Sequence, residues 1–100
     1  MTTINKEDNG KKGKFTIYEN EEIAGEMTYT WAGEKRFIID HTLVNDKFRG
    51  KDYGKQLVMK AVEFAREQNL KILPLCPYAK RVLESDENLQ DVLFWLIKTI

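Results

Sequence analysis

Phe15 and Ile17 alternate with Thr16 and Tyr18, the period of two that marks a half-buried strand. After a connection at Asn20-Glu21-Glu22 the alternation resumes. Met27, Tyr29 and Trp31 share one face, and Glu26, Thr28 and Thr30 the other. Ala32-Gly33-Glu34 is the next turn signal. In residues 35–44, Phe37, Ile39, His41 and Leu43 fall on one face and Ile38, Asp40, Thr42 and Val44 on the other. Apolar residues on both faces predict a central strand covered on both sides. The polar stretch before Phe15, with Asn9-Gly10 and Gly13, reads as a mobile lead-in or turn, so residues 1–13 are expected to be a polar N-terminal lead-in to the domain.

Residues 54–68 switch to the helical period. Leu57, Val58, Ala61, Val62, Phe64 and Ala65 form one stripe, opposite Lys55, Lys60, Glu63 and Glu67. Asn69 is a plausible left-handed stop, with Leu70 folding back as its apolar partner. A fourth strand, residues 71–76, should run parallel to the third, because a four-turn helix separates them. Pro74 within it suits an edge position or a local splay. Pro77 opens a further helix through about Ser85, and Leu89, Val92, Leu93, Leu96 and Ile97 mark a last amphipathic segment. The fold class expected is α+β, an antiparallel meander joined to one β-α-β unit in a single domain over residues 1–100.

Composition narrows the function classes. Sixteen basic residues balance sixteen acidic ones, so no global field draws nucleic acid and any anion site must be local. Cys76 is the sole cysteine, which excludes an internal disulfide and a cysteine-based zinc site; no metal is expected. The N-terminal residues form no apolar leader, and no apolar run approaches the ~20 residues of a membrane span. A reducing cytoplasm is the compartment expected, with neither nucleic acid nor membrane as partner.

The segment with chemistry is Arg49-Gly50-Lys51-Asp52-Tyr53-Gly54, between the third strand and the long helix. Unpaired N–H groups at a helix N-terminus, together with the helix dipole, favour a phosphate. Gly50 and Gly54 allow close backbone approach. Lys47, Arg49, Lys51 and Lys55 supply four cations, opposed locally by Asp46 and Asp52. On spacing alone the same residues also fit a solvated turn that caps an ordinary helix.

This turn, followed by Lys55-Gln56-Leu57, is similar to the (Q/R)-x-x-G-x-(G/A) signature of the general-control-related N-acetyltransferase (GNAT) superfamily, with Asp52 where glycine is expected. With Asp40-His41-Thr42-x-Val44, Ala65-Arg66-Glu67 and Leu73-Pro74-x-Cys76-Pro77-Tyr78-Ala79-Lys80, residues 15–95 resemble a compact subfamily of short, stand-alone GNAT-like proteins. The resemblance implies a GNAT-like fold with splayed parallel central strands. It also implies acetyl-CoA as cosubstrate, its pyrophosphate on the main chain of Arg49, Gly50, Lys51, Asp52, Tyr53, Gly54 and Lys55. The pantetheine arm would pair with the strand at Leu43, Val44 and Asn45. Asp52 is expected to weaken that binding without abolishing it.

Cys76 and His41 are the candidate catalytic residues. A crossover could bring them together at the splay, where the imidazole could take the thiol proton and the thiolate accept acetyl. Alternatively His41 serves as base toward an incoming amine and Cys76 protonates the leaving thiolate. Cys76 can equally pack as a small hydrophobe and His41 as a core histidine. Matching His and Cys positions recur in the subfamily resembled. Tyr78 reads as a packing residue, and Lys80 and Arg81 as solvated charges. The function expected is transfer of acetyl to an unidentified amine or protein acceptor. A non-catalytic acyl-CoA-binding or sensing module is the alternative, and a structural domain without ligand a third. Trp31, Phe94 and Trp95 suit core or interface, and the apolar tail suggests a monomer or weak homodimer.

Overall fold

The computed structural model describes residues 2–94. One five-stranded sheet runs in sequence order: β1 (Thr2–Asp8), β2 (Lys12–Glu19), β3 (Glu22–Trp31), β4 (Arg36–Val44) and β5 (Lys71–Pro74). The first four are antiparallel neighbours. β5 pairs in parallel with β4 after the crossover through α1 (Tyr53–Gln68), as the sequence pattern requires. Then come α2 (Pro77–Ser85) and a 3₁₀ turn, Glu87–Val92, where the sequence suggested a longer amphipathic segment. The tail residues invoked for a dimer, from Trp95 onward, lie outside the described residues.

The apolar stripe of α1 covers one face of the sheet. Leu57, Val58, Ala61, Val62 and Ala65 are buried against Phe15, Ile17, Met27, Tyr29, Phe37 and Ile39. Asn69 adopts φ 57°, ψ 49° and ends α1, and Leu70, whose N–H bonds the Ala65 carbonyl, folds back into the core. Asn20 and Glu21, both at positive φ, form the tight turn between β2 and β3.

The polar N-terminal stretch is not a lead-in. β1 pairs with β2 along its whole length, from Thr2 with Glu19 to Asp8 with Gly13. As an exposed edge strand with only Ile4 half-buried, it carries almost no alternation to betray it. Its tether is Asp8, which accepts from the Tyr29 hydroxyl at 2.6 Å and from Trp31 Nε1 at 2.9 Å. Gly13 lets Tyr29 cross β2 to reach it, since a Cβ there would overlap the ring.

The third predicted strand, β4, differs from its expected pattern. Tyr29 pairs with Ile39 but Thr28 pairs with His41, so Asp40 is an extra residue in a β-bulge. The bulge reverses the side-chain alternation. Phe37 and Ile39 face the helices, and so do Thr42 and Val44, whereas Asp40, His41 and Leu43 face outward. His41 therefore does not share the face of Phe37 and Ile39. The strand is covered on one side, since α1, α2 and the 3₁₀ turn pack together and Leu43 and Leu75 are exposed.

Candidate functional site

The β4–β5 pairing stops at Ile39 with Pro74. The Ile39 carbonyl accepts from both Leu75 and Cys76 N–H at 3.1 Å, and no β5 residue pairs with Asp40 to Val44. The strands part here and leave a notch. Pro74 is tolerated at this last pairing because β5 is the edge strand: Leu75 supplies the N–H that Ile39 accepts, and an N–H at position 74 would point away from β4.

On the helix side this notch opens into a cleft of about 360 Å³ lined by Thr42, Val44, Phe48, Arg49, Gly50, Asp52, Tyr53, Gly54 and Tyr78. Its floor is the turn between β4 and α1. A 3₁₀ turn at Asp46–Phe48 buries Phe48 as an anchor, and Gly50 at φ +88° reverses the chain. Asp52 sits at φ 62°, ψ 24°, the left-handed region where glycine is favoured. Its side chain makes no capping bond, and Gln56 N–H is the first to reach back to the Asp52 carbonyl. The N–H groups of Asp52, Tyr53, Gly54 and Lys55 thus have the orphan status of a helix start. No described side chain occupies them. Gly54 also receives the Tyr78 ring, since a Cβ would lie 3.1 Å from its carbons and hydroxyl.

The cations of the turn are less available than the sequence suggested. Lys47 pairs with Glu22 at 2.9 Å, Arg49 with Asp46 at 2.6 Å and Lys51 with Glu19 at 2.9 Å. Glu19 also accepts from the Tyr53 hydroxyl, which together with Lys51 holds its carboxyl below the usual range. Two partners, Glu19 and Glu22, come from the β2–β3 hairpin, some thirty residues away in sequence and invisible to a local count. Among the described residues, Lys55 is the one of the four cations with no carboxylate partner.

A family model described as GCN5-related N-acetyl-transferase matches residues 14–92. The chain belongs to this family. Its relatives include Protein NATD1 from Danio rerio, 27% identical over 90 residues, covering 89% of this chain and 82% of the relative. Protein NATD1 from Xenopus tropicalis is 32% identical over 60 residues, or 60% of this chain and 55% of that protein's length. Among solved structures, a GCN5-like protein from Staphylococcus aureus has a TM-score of 0.74 at 38% identity, over 96% of this chain and 91% of its own. A GNAT family acetyltransferase from Elizabethkingia anophelis, solved with acetyl-CoA bound, shares the fold (TM-score 0.64, 16% identity, over 73% of this chain and 63% of that chain).

Within this GNAT fold the two candidate catalytic side chains are separated by the sheet. Cys76, 6% exposed, caps α2 on the helix side and its thiol donates to Thr42 Oγ1 at 3.5 Å. Thr42 stands where His41 was expected. Burial pushes the thiol up. The Ala79 N–H and further main-chain donors, joined by the Thr42 hydroxyl, which can turn to donate to the thiolate, outweigh that and hold it below its ordinary value. His41 points to the outer face, exposed, one residue along an alternating strand.

Asn45 needs a correction too. Its N–H bonds the Ala24 carbonyl at 2.8 Å and its carbonyl accepts from Phe48, so its main chain is already spent within the protein. Leu43 is exposed on the outer face and Val44 lines the cleft. Tyr78, read from the sequence as packing, borders the cleft directly. Burial, then the Asp52 carboxylate, raise its phenol above the ordinary value and keep it protonated. Only the turn of α2 against Gly54 reveals this placement.

Proposed function

We propose that this protein transfers acetyl from acetyl-CoA to a primary amine. The observation that carries the reading is the cleft whose floor is a left-handed turn with four orphan N–H groups. It continues at one end into the notch between β4 and β5. The residues fit the cosubstrate. The N–H groups of Asp52 to Lys55 would hold the pyrophosphate, with Arg49, Gly50 and Lys51 around it, and Lys55 would add a charge that no carboxylate among the described residues neutralises. Thr42 and Val44 would border the pantetheine arm.

Acetyl-CoA supplies a thioester carbonyl; the C–N bond forms on its carbon as the C–S bond breaks. The chain's part is to move two protons. An amine arriving at the notch from the outer face meets His41, whose imidazole takes the proton that the nitrogen sheds. Tyr78 borders the cleft with its phenol protonated and would return a proton to the departing sulfur. Cys76 is the other candidate donor. Its burial behind Thr42 disfavours an acetyl-cysteine intermediate, since a thioester would need room that a 6% exposed side chain lacks.

Calorimetric titration with acetyl-CoA, followed by intact mass after incubation, tests this reading. Heat of binding is expected, with no mass gain on Cys76. Absence of heat at millimolar ligand would remove the cofactor assignment, and a Cys76-dependent gain of one acetyl group would replace direct transfer by a covalent route. Binding without transfer, as an acyl-CoA-sensing module, is the second reading. It is favoured by the pairing of Lys47, Arg49 and Lys51 with carboxylates, which leaves an anion site weaker than the sequence implied.

A further inference from the structure

The notch between β4 and β5 has a second mouth. On the outer face, away from the cleft, a depression of about 440 Å³ is bordered by Lys12, Thr28, Thr30, Asp40, His41 and Leu75. The bulge in β4 makes it, because Asp40 and His41 are consecutive yet both face outward. An unbroken strand would send one of them into the core. With the helix side given to the coenzyme, this mouth is the approach left for the acceptor.

Its charges define what it can hold. Thr30 donates its hydroxyl to Asp40 Oδ2 at 2.7 Å, which fixes the carboxylate at the end of the depression farther from the open splay. Lys12 borders the same end, since it pairs with Thr30 across β2 and β3. Among the described residues, Lys12 and Asp40 make no ion pair with each other, and the neighbouring Lys14 and Glu26 pair together at 3.9 Å. One end thus offers a cation beside an anion. The other end is His41, opposite Thr28. From the Thr30 level to the Thr28 level is two residues of strand, about 7 Å. The exposed side chain of Leu75 gives the span between them an apolar wall.

We infer that this outer-face depression binds a free basic amino acid of lysine length, its α-carboxylate at Lys12, its α-ammonium at Asp40 and its terminal amine at the His41 end of the notch. The inference rests on the proposed placement of acetyl-CoA. A diamine would use Asp40 alone and meet repulsion from Lys12, and a lysine within a peptide would bring neither head charge. The polar groups present match a zwitterion joined to an aliphatic chain.

Amide chemical-shift titration of the full chain with L-lysine, without acetyl-CoA, tests the site independently of turnover. Shifts are expected at Lys12, Thr28, Thr30, Asp40 and His41. Affinity should fall about ten-fold or more for 1,5-diaminopentane and for Nα-acetyl-L-lysine methyl ester. Asp40→Asn and Lys12→Gln should each lower L-lysine affinity to a similar degree with amide dispersion intact, while Asp40→Asn leaves acetyl-CoA affinity unchanged. Equal affinity for L-lysine and the diamine, or shifts confined to other surfaces while acetyl-CoA still binds, would overturn the acceptor site and spare the cofactor reading. L-Lysine shifts at these residues in a protein that gives no response to acetyl-CoA would support the amino-acid site and remove the cofactor reading.

Discussion

Replacing Gly54 by alanine sets two effects of opposite sign against each other. In the first turn of α1, alanine gains up to about 1 kcal/mol of helix propensity over glycine. Its Cβ, however, would lie 3.1 Å from the Cε2, Cζ and hydroxyl of Tyr78, so the ring must give by a few tenths of an ångström. Over-packing costs about 1–3 kcal/mol in a tight core. Because the Tyr78 ring is only half-buried, the lower end applies and Gly54→Ala should change stability by less than about 1 kcal/mol. In a Tyr78→Ala background the obstruction is gone, and the same substitution should stabilise by about 0.5–1 kcal/mol. A coupling of about 1 kcal/mol between the two sites follows. Urea denaturation of the four proteins measures it. Equal effects of Gly54→Ala in both backgrounds would refute the packing of Tyr78 on Gly54, and with it the placement of the phenol at the cleft. Gly54→Glu adds bulk and negative charge at the same point and should abolish the heat of acetyl-CoA binding.

The turn and the N-terminal strand yield the remaining expectations. Asp52→Gly relieves a left-handed conformation that L-residues resist and removes a carboxylate beside the proposed pyrophosphate, so calorimetry should show tighter acetyl-CoA binding; equal or weaker affinity would show that Asp52 is no liability. Lys55→Ala should weaken acetyl-CoA binding several-fold and Lys51→Ala by less than two-fold, because Lys51 is already paired with Glu19; the reverse order would contradict the pairing. At Asp8, burial raises the carboxyl, but hydrogen bonds from Tyr29, Gly10 and Trp31 hold it below 3.8, while burial and Asp8 raise Tyr29 above its usual 10.0. The depressed acid contributes its stability above pH 3.8 and loses it as pH falls through its folded value. The raised phenol subtracts stability above pH 10, where only the unfolded chain would ionise. Asp8→Asn should cost about 1 kcal/mol at neutral pH and flatten the acid limb of a stability–pH curve; an unaltered limb would place the acid sensitivity elsewhere.

Much of the architecture is written in local pattern. The alternation from Phe15 to Trp31, the helical stripe from Leu57 to Ala65 and the Asn69-Leu70 stop each act within a few residues. The chain's own periodicity therefore fixes these elements and the parallel crossover between β4 and β5. The turn from Arg49 to Gly54 was legible for the same reason, since glycine spacing and a helix start are local properties. What the sequence left open depends on partners far along the chain. An edge strand shows no alternation, so β1 emerges only through Asp8 meeting Tyr29 and Trp31. A one-residue bulge, set by how β3 and β4 pair, decides that His41 faces outward and Thr42 meets Cys76. The charge of the turn is set by Glu19 and Glu22 on a hairpin, and the reach of Tyr78 by the absence of a side chain at Gly54. Periodicity reports which residues are buried together along one element. Which side chains converge on a site is a matter of register and close approach between elements, and only the folded chain determines that.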